Sequence, residues 1–180
     1  QTGTTLIDTR NKVDFAKGYL PNSINIQNNK TFNTWAGWVL NYTEPFILIV
    51  EESQLNDVAR KLMRIGLDDV AGYITPDTIS QLGITLAHQQ LIDFEEMNAA
   101  LEKPNTQILD VRNTNEFAEG HLPHATHLFV GTLADNLHKI EPSKQLYLHC
   151  QSGDRATIAA SLLAKNGIKN VKIYSPSINE

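Results

Sequence analysis

Cysteine is almost missing from this chain: in 180 residues there is one, Cys150. A lone thiol forms no internal disulfide and does not supply a thiolate zinc site by itself. What remains is an inert buried thiol, an intermolecular link or a reactive nucleophile. Long apolar runs are missing too. No stretch approaches the ~20 residues that span a bilayer, and no basic-then-apolar leader opens the chain, so a cytoplasmic, non-membrane protein is expected. No Lys/Arg-rich run tracks phosphates, and the net charge is −5, so nucleic acid is not an expected partner. The 41% hydrophobic and 19% charged fractions are those of a globular chain with a substantial core.

The chain repeats itself. Residues 6–26, LIDTRNKVDFAKGYLPNSINI, match residues 108–128, ILDVRNTNEFAEGHLPHATHL, at a constant offset of 102. Asp8/Asp110, Arg10/Arg112, Phe15/Phe117, Gly18/Gly120 and Pro21/Pro123 coincide. FILIV (46–50) then matches QLYLH (145–149), each leading into a helix closed by a Gly. Two domains are expected, 1–83 and 84–180, joined through the Pro- and Gly-punctuated stretch Thr75–Gly83. In the second copy, strands are expected within 86–92 and over 107–111, 146–150 and 171–174. Helices are expected over 94–101, 115–119 and 156–166. This alternation predicts an α/β fold, with a largely parallel sheet in each domain flanked by helices. The first copy reaches its D-x-R eight residues into the chain, with no counterpart of the second copy's opening strand and helix. It is expected to be an amino-terminally truncated copy within a piece of a longer protein.

Cys150 stands where an apolar strand gives way to a helix, the junction at which open α/β sheets bind ligands. Loop amides and the positive end of a helix both stabilise negative charge on sulfur there. Gly153 lets the loop curl into an anion nest, and Arg155 closes it with a fixed charge. His149-Cys150-Gln151-Ser152-Gly153-Asp154-Arg155 is H-C-x4-R. Cysteine phosphatases use a loop one residue longer around a phosphate, so this cradle suits a single sulfur atom. The substrate-binding set is therefore Gln151, Ser152, Gly153, Asp154 and Arg155, with Cys150 and Arg155 catalytic.

The pattern D-x-R…E-F…G-H-L-P…H-C-x4-R over 86–174 resembles the rhodanese family. The resemblance implies a five-stranded parallel sheet and sulfur transfer through a Cys150 persulfide. Implied substrates are thiosulfate, sulfite, and persulfides of glutathione or another thiol. The end of the chain, VKIYSPSINE, departs from the family by lacking its Gly-Gly and late Trp, which concerns the closing helix and one pocket wall. In the first copy, Glu51 aligns with Cys150 and the loop is two residues shorter, so it reads as a pseudo-rhodanese. Inactive copy followed by active copy resembles the carboxyl-terminal part of metallo-β-lactamase-fold/rhodanese fusions that oxidise persulfides in sulfide detoxification. Their non-haem iron would belong to an upstream domain, because no H-x-H-x-D-H run occurs here. No cofactor or metal is expected in this chain.

The internal repeat also separates structural from chemical residues. Asp8 and Arg10 persist where the thiol is gone, so Asp110 and Arg112 are expected to hold the strand end rather than react. His121, His124 and His127 suggest a metal site only superficially, since Pro123 interrupts any helix that would present all three. His149 is expected on the strand face opposite Cys150, buried and hydrogen-bonded. Trp35 and Trp38 are expected in the core or packed between domains, and Asp154 is expected to cap the helix near Ala156 or to tune the pocket's charge. Rival readings are a cysteine phosphatase or arsenate reductase, and a non-catalytic interaction module.

Overall fold

The computed structural model describes residues 4–176. The chain forms two compact units that divide between His88 and Gln89. The first holds β1 (Thr5–Asp8), α1 (Lys12–Lys17), β2 (Ser23–Asn25), α2 (Phe32–Val39), β3 (Phe46–Ile49), α3 (Leu55–Met63), β4 (Val70–Ile74) and α4 (Pro76–Gln81). The second holds β5 (Gln90–Ile92), α5 (Phe94–Leu101), β6 (Thr106–Asp110), α6 (Thr114–Glu119), β7 (Thr126–His127), β8 (Gln145–His149), α7 (Asp154–Lys165) and β9 (Val171–Tyr174). Strand order is β2-β1-β3-β4 in one sheet and β5-β9-β8-β6-β7 in the other, every described pair parallel. This is the α/β architecture expected from the sequence. Among the described residues, the first sheet has no counterpart of β5. No helix among the described residues is long and apolar enough to cross a membrane.

The boundary lies beyond Gly83 for a physical reason. Thr75–Gly83 is not a linker: Thr75 caps α4 through its side chain, Pro76 occupies the first turn, and Ile79 is buried in the first unit's core. Such signals start a helix as readily as they make a turn. The run at 86–92 is divided. Ala87 forms an antiparallel bridge to Tyr19 in the first unit, and Gln90–Ile92 pairs with β9 in the second.

β3 and β8 are central strands, and their runs of apolar residues suit a sheet covered on both faces. Behind β8, α7 buries every residue from Ala156 to Leu163, more than the single apolar stripe of Ile158, Leu162 and Leu163. Its polar members are satisfied internally, Thr157 Oγ1 donating to Gly153 O and Ser161 Oγ to Ile158 O. In α2, Phe32 and Ala36 are the core residues, whereas Trp35 is half-buried and Trp38 is 54% exposed. Of the two placements expected for these Trp residues, core or between domains, the core one is corrected. The chain's last stretch, where the family's closing helix was in question, reaches into 177–180, outside the described residues.

Candidate functional site: the Cys150 loop

β8 ends at His149, and the next residue, Cys150, is buried at the sheet's carboxyl edge. Its Sγ accepts a hydrogen bond from the Gly153 amide at 3.2 Å. Gly153 sits at φ +91°, and it is the residue from which α7 starts. The loop thus aims a backbone N–H and the first turn of a twelve-residue helix at one sulfur atom. Asp154 is the first residue of α7 rather than its cap, which Gly153 provides without a side chain. Its negative charge lies in the first turn, where the helix dipole favours it. Gln151 and Ser152 are exposed.

Arg155 does not stand open beside the thiol. Its Nη1 and Nη2 donate to Glu116 Oε2 and Oε1 at 2.5 and 2.8 Å, a two-pronged ion pair. That pairing raises the Arg155 pKa further, against its burial, with the neighbouring Cys150 adding to it, and Arg155 holds Glu116 below the usual carboxylate range. Glu116 also closes a capping box on α6, accepting from the Asn113 amide while Asn113 Oδ1 accepts from its own. The local sequence accounts for Glu116 as a cap, so its distant partner left no signal.

Asp110 and Arg112 form a clamp. Arg112 donates from its backbone, Nε and Nη2 to the Asp110 carboxylate at 2.6–3.0 Å and from Nη2 to Gly120 O at 2.6 Å. Asp8 and Arg10 repeat it contact for contact, reaching Gly18 O. Burial opposes the Asp110 charge, but the Arg112 hydrogen bonds outweigh it and hold the carboxyl below its usual range.

A cavity of about 330 Å³ opens onto Cys150, walled by Phe94, Met97, Arg112, Gly120, His121, Leu122, His149 and Tyr174. His149 shares this cavity with Cys150, because strand alternation stops where the strand does. Its Nε2 is buried 3.5 Å from Asp110 Oδ2 with no hydrogen bond among the described residues, which corrects the expected bonded role. Burial is the main influence that keeps its pKa below 6.5; Asp110 opposes it and Arg112 adds to it. Gln151 faces an adjoining polar cleft with Arg112, Glu116, Glu119 and Gly120.

His121 and His127 both stack on Phe117, at 3.9 and 4.6 Å between ring centroids, and bond to the Phe117 and Arg112 carbonyls. The matching positions in the first unit, Phe15 and Tyr19, also stack. The position is a ring-packing one. Among the described residues no three His, Cys, Asp or Glu gather as a metal site.

Sheet register changes the alignment of the copies. Asp8 pairs with Ile49 as Asp110 pairs with His149, and Thr9 N donates to Ile49 O as Val111 N does to His149 O. The residue matching Cys150 is therefore Val50, fully buried, and Glu51 matches Gln151. The loop is correspondingly one residue shorter up to the helix-ending Gly, not two. By the same register Leu20, Ile49 and Ile74 match Leu122, His149 and Tyr174, the cavity walls. In the first unit they pack against Ile79 and Leu86 in a closed cluster. A Cβ on Gly18 would meet Leu86 Cδ1 at 3.0 Å, while around the matching Gly120 there is open space. Where the second unit has a pocket, the first has side chains.

These features define a cysteine-loop α/β domain: a thiol at a helix start, a turn whose Gly153 amide meets the sulfur, and a small cavity. The rhodanese-like domain family matches residues 1–74 and 93–180, and the chain belongs to that family. Among curated relatives, it is 36% identical over 77 residues to YqhL of Bacillus subtilis, covering 43% of this chain and 60% of that one. It is 36% identical over 73 residues to the tRNA sulfurtransferase of Aliivibrio fischeri, covering 38% and 15%. The chain thus spans less than two-thirds of the length of these relatives. A solved rhodanese-like domain protein of Staphylococcus aureus superposes with a TM-score of 0.45 at 30% identity, covering 48% of this chain and 85% of that one.

Proposed function

We propose that residues 89–180 form a sulfurtransferase that carries sulfane sulfur as a Cys150 persulfide, beside a first copy without a nucleophile. The observation that carries this reading is the Cys150 sulfur, held by the Gly153 amide at the start of α7 and facing a cavity. Family membership and a relative named for sulfur transfer support it. The Cys150 thiolate attacks the outer sulfur of thiosulfate or a small persulfide. The donor's S–S bond breaks, and sulfite or a thiolate leaves with the bonding pair. Loop amides and the helix dipole stabilise the persulfide anion. An acceptor such as cyanide, sulfite or a thiol then takes the outer sulfur and restores the thiolate, so ping-pong kinetics follow. Sulfide and persulfide detoxification, alongside an upstream metallo-β-lactamase-fold domain, is the setting that the tandem arrangement suits.

Intact-mass measurement after incubation with donor tests the reading. The native chain gains one sulfur atom and Cys150→Ser gains none. Turnover by Cys150→Ser would overturn the mechanism, and hydrolysis of an aryl phosphate without persulfide would replace it with a phosphatase.

A further inference from the structure

We infer that the Cys150 pocket prefers sulfane donors carrying one negative charge on an apolar body over the thiosulfate dianion, and that Glu116 sets this preference. The inference rests on the sulfur-transfer reading and narrows its substrate class.

Both cations at the site already carry a carboxylate. Arg155, the one basic residue of the loop 150–155, is gripped by both Glu116 oxygens at 2.5 and 2.8 Å. Arg112, in the cavity wall, is closed on Asp110 at 2.6 Å and on the Gly120 carbonyl. The four charges sum to zero, and Glu119 adds a negative one in the adjoining cleft. His149 is held neutral by burial at neutral pH. A dianion entering here surrenders its hydration with no uncompensated cation to replace it, which is a poor exchange in a half-enclosed site.

The remaining walls suit a different ligand. Phe94, Met97, Leu122 and Tyr174 present apolar surface, and the His121 ring, stacked on Phe117, extends it. Phe94 opens α5 with 66% of its surface exposed, a large aromatic at a rim where apolar contact is still unfilled. A donor with an aryl or alkyl body removes that surface from water, and its single charge, placed near the first turn of α7, surrenders less hydration than a dianion does.

The test compares two donors on the full chain with cyanide as acceptor: thiosulfate and benzenethiosulfonate. In each case Cys150 takes the outer sulfur, sulfite or benzenesulfinate leaves with the S–S bonding pair, and cyanide departs as thiocyanate. The expected kcat/KM is at least about tenfold higher for benzenethiosulfonate, as for one well-placed apolar group. Phe94→Ala shrinks that ratio. Glu116→Gln unmasks the Arg155 charge. It raises thiosulfate kcat/KM relative to benzenethiosulfonate by roughly tenfold and makes the thiosulfate reaction more salt-sensitive. A purely structural Glu116 would lower both donors together and leave the ratio unchanged, which would overturn the inference. Equal or faster native turnover of thiosulfate would overturn it as well. Failure of either donor to add sulfur to Cys150, read by intact mass, would instead overturn the sulfur-transfer reading beneath it.

Discussion

A methyl group on Gly153 would lie 3.1 Å from Ser175 Oγ and 3.3 Å from Ser175 Cα, and the residue already sits at φ +91°. Ser175 is fully buried and its amide is tied to Ile92 O, so its backbone has little room to yield. Gly153→Ala therefore combines left-handed strain with a clash and costs about 1–3 kcal/mol in chemical denaturation. Gly120→Ala, with open space around it, is the milder comparison. His149 acts through protons. Its folded-state pKa is below 6.5, so as pH falls through 6.5 the unfolded chain protonates first and the folded state loses stability until its own lower pKa is reached. The slope is at most about 1.4 kcal/mol per pH unit. In His149→Asn, denaturation midpoints measured from pH 7 downward lose this part of their pH dependence.

Among the elements, α5 is expected over Phe94–Leu101 and found there, because Asp93 caps it and its apolar spacing is regular. α7 begins at Asp154, two residues ahead of the start expected at 156, because Gly153 starts it directly. α4 is missed: PDTISQ reads as punctuation, and its one buried residue, Ile79, makes no periodic signal. That helix bears on how the first unit is packed. Ile79 and Leu86 pack on the residues that match the pocket walls, so the first unit differs twice, with Val50 in the place of Cys150 and side chains in the place of the cavity. Val50→Cys in the Cys150→Ser background is accordingly expected to gain no sulfur by intact mass from thiosulfate or benzenethiosulfonate. A sulfur adduct on that residue would show that the filling is permeable.

Across the whole molecule, the repeat made the α/β class and the Cys150 loop legible, because both are written contiguously. What stayed hidden depends on residues far apart in sequence. Glu116 meets Arg155 across 39 positions, and Val50 emerges as the counterpart of Cys150 only once strand pairing fixes the register. Pairing also sets an order in time. β5 and β9 are the first and last strands of the second unit, and they pair with each other. The walls over the thiol come from both ends, Phe94 and Met97 from one and Tyr174 from the other. During synthesis the cysteine is therefore made after most of its pocket but before the last wall, Tyr174. The nascent thiol has no finished cavity to work in until β9 has emerged and docked.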